Sequence, residues 1–220
     1  MKKLIIILIC FLVTLSMRSQ TMQYGFGLSF SNLKNADQDT SNNAEYKPLV
    51  GINLSFSSIS NLNERISLVS EFAFTQKGYS RFYDYGIIDS SMVQWEYKTN
   101  ESFLQFTQLF EFHFIEKLSL SFGPYLEYLL EGRYILRDEE GNDIYNQKFT
   151  DLYVNGYDEV SFGERFNYGV NLAASYKIYE NLFFRLGYSM TNILNNDSNV
   201  NFNKINSLFL NLSLKIDLNR

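Results

Sequence analysis

Hydrophobic residues recur at every second position along most of this chain. In Leu118 to Gly132 the even positions hold Leu118, Leu120, Phe122, Pro124, Leu126, Tyr128 and Leu130. The odd ones hold Ser119, Ser121, Gly123, Tyr125, Glu127, Leu129 and Glu131. A period of two marks a β-strand whose faces meet different surroundings. Seven further segments carry it: 22–30, 50–56, 66–74, 104–114, 166–176, 182–190 and 208–218. No stretch of helical period and useful length interrupts them after the first twenty residues. The pattern predicts eight strands in one all-β domain.

The connections alternate as well. SNLNER, IEK and YEN follow the second, fourth and sixth segments, while long polar stretches fill 32–47, 81–101, 136–163 and 194–204. Tight turns at one end and long loops at the other are the signature of an eight-stranded, antiparallel, up-and-down transmembrane β-barrel. The turns are then periplasmic and the loops external. Closure removes every strand edge, as a bilayer requires.

The alternative is a soluble barrel with its greasy face inward, as in lipocalins. Volume argues against it. An eight-stranded barrel holds only modest side chains inside. The greasy register is full of Phe, Leu and Tyr and contains no charged residue. The opposite register supplies Gly25, Gly27, Gly51, Ser55, Ser57, Ala73, Ser119, Ser121, Gly123, Gly169, Ala173, Ser175, Gly187 and Ser189. Lipid therefore meets the greasy face. Pro124 cannot donate to a ladder, which predicts a bulge or kink at Gly123-Pro124.

Composition agrees with strands: the 220 residues include 16 Tyr, 20 Phe and only 2 Pro. A net charge of -5 gives no reason to expect nucleic acid as a partner. The beginning, MKKLIIILICFLVTLSMRSQ, has Lys2 and Lys3 before an apolar run from Leu4 to Leu15. This is short for a bilayer span and right for a signal peptide, predicted over 1–19 with cleavage near Ser19, before a barrel domain over 20–220. The single cysteine, Cys10, follows bulky Ile9 within that run, which is not a lipidation context. The mature chain then has no disulfide.

Chemistry is sought in the inward register. Glu71, Glu111, Arg185 and Lys215 fall near the short-turn end; Glu127, Lys77, Arg165 and Arg133 lie toward the loops. Buried charges must be paired or solvated, so these are expected to interlock and fill the lumen or, alternatively, to line a narrow path for ions or small solutes. His113, the only histidine, cannot make a metal site alone. No nucleophile elbow, triad spacing or phosphate-binding glycine motif is visible, and neither catalysis nor a cofactor is predicted. A barrel lipid hydrolase would need a serine nucleophile beside His113. Acidic residues in 136–163 lack EF-hand spacing and read as a solvated loop. Phe82, Tyr83, Tyr85, Trp95 and Tyr97 in 81–101 suit an interfacial belt or a partner-binding surface.

LQFTQLFEFHFIEKLSLSFGPYLEYLL, Leu104 to Leu130, resembles the small outer-membrane barrels called PorT-like or porin-family proteins of Gram-negative bacteria. The resemblance rests on Gly123, Pro124, Tyr125, Leu129 and Leu130, and on Arg185, Tyr188 and Asn192 within LFFRLGYSMTNI. It implies residence in the outer membrane, the lipid bilayer and the insertion machinery as partners, and no settled common activity; the family's namesake supports secretion. One departure is the end, Ile216-Asp217-Leu218-Asn219-Arg220, where such barrels commonly finish on an aromatic residue. The sequence supports a structural or interaction barrel whose loops meet partners, envelope or secretion factors among them, with a narrow channel as the alternative.

Overall fold

The computed structural model describes residues 21–33, 45–88, 91–138, 140–148, 166–191 and 205–217. The signal-peptide expectation and Arg165 fall outside these residues. Among these residues nine strands are present: β1 (Thr21–Leu33), β2 (Glu45–Asn61), β3 (Ile66–Ile88), β4 (Ser91–Ile115), β5 (Leu118–Arg137), β6 (Asp143–Lys148), β7 (Phe166–Tyr179), β8 (Leu182–Thr191) and β9 (Ile205–Asp217). Eight of them form a closed antiparallel barrel. Their hydrogen-bonded order is β4-β3-β2-β1-β9-β8-β7-β5, and β4 pairs with β5 to close the ring. The short β6 stands outside that ring on the upper part of β5.

Alternation dictates the two faces. Along β5, Leu118, Leu120, Phe122, Leu126 and Leu130 are exposed, whereas Ser119, Ser121, Tyr125, Glu127 and Leu129 are buried. The outer face is a belt of aliphatic and aromatic side chains. Cross-strand pairs such as Phe72–Phe106 (ring centroids 4.8 Å) and Tyr24–Phe56 (5.2 Å) tie neighbouring strands there. Each such pair contributes about 0.5–1.5 kcal/mol beyond area burial. Polar residues also occur in the lipid-facing register, Ser70 and Gln108 among them. Ser70 Oγ donates to Gln108 Oε1 (2.9 Å), and Gln108 Nε2 donates to the Val69 carbonyl (3.2 Å). Satisfying one another is what makes them tolerable in hydrocarbon.

The short turns are tight. Asn63 Oδ1 accepts the backbone N–H groups of Arg65 and Ile66 (2.8 and 2.9 Å), which fixes the β2–β3 turn. Glu116-Lys117 and Glu180-Asn181 make the other two. At the opposite end the wall has two heights. β3 and β4 run for 23 and 25 residues, while β8 and β9 run for 10 and 13. About 9–11 tilted residues cross a bilayer. Among the described residues the β2–β6 side therefore extends further beyond the membrane than the β7–β9 side. Much of 81–101, expected as loop, is backbone of the projecting β3–β4 hairpin. Within 136–163, β6 is a strand that the sequence did not announce.

Two expectations need correction. The register through Gly123-Pro124 is continuous on both sides: Gly123 faces Asn171 and Pro124 faces Val170 on β7, and on β4 the same register holds from Thr107–Tyr125 to Phe110–Phe122. Proline leaves a two-pair gap in the β4 ladder, not a bulge. A bulge does occur six residues on. Ser102 faces Glu131 while Phe103 faces Leu129, so Leu130 is an extra residue in β5. Each extra residue turns the following side chains to the other face. Arg133, expected in the lumen, thus lies outside, half-exposed, with its Nε 2.6 Å from Glu131 Oε1.

Candidate functional site in the barrel interior

The lumen is built in tiers from the short-turn end upward. At its base, Ser119 Oγ donates to Glu111 Oε1 (2.6 Å), and His113 Nε2 lies 2.9 Å from Ser67 Oγ. Ser67 in turn donates to Asn61 Oδ1 (2.9 Å). The serine that the sequence did not reveal is therefore present beside His113. Its proton is committed to Asn61, so the imidazole Nε2–H is the donor in that pair. Glu111 lies 4.0 Å from the same ring nitrogen. A hydrolase triad needs the base nitrogen free to accept and the acid on the other nitrogen; this arrangement has neither. Lys215 lies at this mouth with its Nζ 5.8 Å from the Phe183 ring centroid. Above sits an apolar cluster of Ile59, Val69 and Leu109.

The next tier crosses the barrel. Arg185 on β8 donates through Nη1 to Glu71 Oε2 on β3, and Ser57 Oγ donates to the same carboxylate oxygen (3.0 Å). Both ionic side chains are about 5% exposed. The Arg185 guanidinium also lies over the Phe209 ring (5.4 Å). Phe209 has room inside because its neighbour is Gly187: a Cβ there would lie 2.0 Å from the ring. The interior is thus not uniformly small, as the register suggested; glycines on one strand make space for rings on the next.

Amides and hydroxyls fill the middle. Asn211 Nδ2 donates to Asn53 Oδ1 (2.8 Å), whose own Nδ2 donates to Thr75 Oγ1 (2.8 Å). Asn171 Nδ2 reaches Thr107 Oγ1 (3.3 Å). Tyr125, from the family-like Gly123-Pro124-Tyr125 stretch, packs over Gly169, and its hydroxyl lies 2.8 Å from Thr191 Oγ1.

The upper tier holds Lys77 and Glu127, with Nζ–Oε2 at 2.6 Å and both side chains 1% exposed. Asn167 Nδ2 donates to the other Glu127 oxygen (3.4 Å). The Lys77 ammonium also sits over the rings of Phe103 and Tyr125, at 5.3 and 5.4 Å. Glu101, the ladder partner of Lys77, joins this tier. It is 1% exposed, and neither carboxylate oxygen has a hydrogen-bond partner among the described residues. One ammonium therefore serves two carboxylates. Glu101 was missed because it falls at the edge of the stretch read as loop. Its signal was there, an odd position continuing the inward register of Phe103 and Gln105.

Of the expected network, the structure joins Glu71 with Arg185 and Lys77 with Glu127. Glu111 bonds to serine and lies near histidine, and no ion pair involving Lys215 is present among the described residues. Nor do three His, Cys, Asp or Glu side chains gather there as a metal cluster.

Known barrels resemble this chain at low identity. Ail of Yersinia pestis, crystallised with the heparin analogue sucrose octasulfate, is 12% identical over 89% of this chain and 98% of Ail, with a TM-score of 0.45. Neisserial surface protein A is 12% identical over 90% of this chain and 97% of its own, at 0.37. OprG of Pseudomonas aeruginosa is 9% identical over 90% and 97%, at 0.40. No curated protein matches the sequence. The model of the outer membrane protein beta-barrel domain matches residues 18–198. With a closed eight-stranded barrel, a lipid-facing belt and that match, this chain belongs to the outer membrane protein beta-barrel domain family and resides in the cell outer membrane.

Proposed function

We propose that this protein is a structural and interaction barrel: a closed, filled cylinder that anchors a projecting wall and its loops at the cell surface. The observation that carries this reading is the Glu71–Arg185 pair. It joins opposite walls through the lumen at nearly complete burial. A buried pair of this kind is costly to open, because separating it leaves two desolvated charges. Lys77–Glu127 adds a second buried pair nearer the outside, between strands two apart in the ring. The reactive groups present at the base, Ser67 and His113, are oriented away from hydrolysis, so the role assigned is not catalytic. Partners meet the protein outside, on the β3–β4 hairpin and β6. The envelope or secretion factors implied by the PorT-like resemblance are the class to search first, and the insertion machinery is the partner during assembly.

Single-channel recording on the refolded mature chain in a planar bilayer tests the reading. The filled barrel is expected to be silent after demonstrable insertion. Discrete, reproducible current steps, abolished by Arg185→Ala, would replace it with a narrow channel for ions or small solutes.

A further inference from the structure

On the outer surface of the tall wall the apolar belt ends abruptly. Along β4 the outward register passes from Phe106 and Leu104 to Ser102, Asn100 and Lys98. Along β5 it passes from Leu126 and Leu130 to Glu131 and Arg133. The Leu130 bulge is what brings Arg133 to this face. At this boundary lies an open pocket of about 350 Å³, lined by Gln76, Lys98, Asn100, Ser102, Glu131 and Arg133. Its shoulder is the Leu49–Gly51 stretch of β2, where the ladder to β3 breaks between Pro48 and Asn53. Val50 on that shoulder is 61% exposed.

We propose that this pocket binds the phosphorylated headgroup of an outer-leaflet glycolipid. The height fits: an amphiphile seated here would lay its acyl chains on Leu104, Leu130 and Val50 and place its headgroup among polar side chains. The charge fits too. Among the outward side chains Lys98 and Arg133 outnumber Glu131, the pocket's other charged lining residues, Lys77 and Glu101, belonging to the inward register; Glu131 takes the Arg133 Nε, which orients the guanidinium while its Nη groups serve as donors to phosphate. Gln76, Asn100 and Ser102 supply neutral donors and acceptors of the kind a sugar hydroxyl needs. The volume lies within the range of small-ligand sites.

The test uses the full mature chain folded in phosphatidylcholine nanodiscs, offered bisphosphorylated lipid A, its dephosphorylated form or inorganic phosphate. Native mass spectrometry reads the lipid retained. Wild type and a Lys117→Ala control at the short-turn end should retain the phosphorylated lipid equally. The Lys98→Ala/Arg133→Ala double variant should retain it about tenfold less or worse. Heat-modifiable gel mobility checks that the variant has folded. If it has not, the comparison of phosphorylated with dephosphorylated lipid on wild type decides alone. Equal retention of the two lipids, equal retention by wild type and folded variant, or complete displacement by inorganic phosphate overturns the proposal.

Discussion

The two sides of this barrel obey one sequence rule to different extents. On the short side, β1, β7, β8 and β9 pair in unbroken register except beside the Glu180-Asn181 turn. On the tall side, apart from a shift between His113 and Ile115 beside the Glu116-Lys117 turn, irregularities fall between Pro48 and Asn53, Asp84 and Ile87, Ser102 and Phe103, and Leu136 and Arg137. All lie toward the loop end. The difference follows from the solvent. In hydrocarbon a broken ladder leaves N–H and C=O groups without partners, at a cost of several kcal/mol each. Above the membrane, water takes over and bulges become inexpensive. Regular alternation is thus a property of the part of the wall that lipid touches.

The largest effect should come from charge in the regular zone. Arg185→Ala leaves Glu71 buried without its partner and is expected to destabilise the barrel by about 3–5 kcal/mol, measured by urea unfolding from lipid vesicles. Arg133→Ala, which removes a half-exposed pair on the tall wall, should cost about 0–1 kcal/mol. Equal losses would erase the distinction between the two zones. Next, Leu186→Lys places a charge on the lipid face of β8 and should cost about 2–4 kcal/mol, whereas Asn100→Lys, above the belt, should cost about 0–1 kcal/mol.

Deleting Leu130 sharpens the comparison in a different way. Deleting it alone keeps every pair above the bulge, but deleting Glu131 with it slips that register by one, swinging Arg133 toward the lumen and Tyr134 outward. The Tyr97–Tyr134 stack, 5.4 Å between ring centroids, would be lost, at about 0.5–1.5 kcal/mol. Cysteines at positions 100 and 133, which face each other across β4 and β5, should form a disulfide in the parent and not in the double deletion; a disulfide in both would mean that the bulge does not set the register.

The smallest effect concerns the β5–β6 hairpin, fully in water. Asp138 accepts the Asn142 backbone N–H (2.8 Å), and Asp143 accepts from Arg137 Nε (2.7 Å). These hydrogen bonds hold both carboxyls below the usual aspartate range. A depressed carboxyl stabilises the fold above its unfolded pKa, about 3.9, and that contribution disappears as pH falls through the lowered folded values. Amide exchange in 138–143 should therefore quicken below pH 4, after correction for intrinsic rates, with no matching change in β8. Acid-insensitive protection there would remove the proposed role of both aspartates.

These contrasts explain what was legible in the sequence. The eight strands, the tight turns and the lipid-facing register followed from alternation, because every barrel residue in the membrane is constrained by it. Arg133 was placed on the wrong face because one inserted residue reverses parity and leaves no composition signal. Pro124 suggested a bulge, yet in this strand only the ladder to β4 loses pairs. The ring of Phe209 inside and the hydroxyl of Ser67 beside His113 depend on which residues face one another across strands, which period alone does not encode. Glu71 and Arg185 were both assignable to the interior. Their pairing was not, since eight interior charges of both signs were available to choose among.

That pairing also orders the life of the chain. Glu71 and Arg185 are separated by 114 residues, and Thr21 meets Asp217 across 196. Contacts this distant form only after the intervening sheet exists, a topology that slows folding. Until β8 arrives, the carboxylate of β3 lacks the guanidinium with which it pairs. A growing, unclosed sheet in hydrocarbon would hold that charge naked, so water must accompany the nascent lumen and leave it last. Closure is then the moment at which Glu71 exchanges water for Arg185, and a nearly complete barrel should keep that carboxylate as wet as an unformed one.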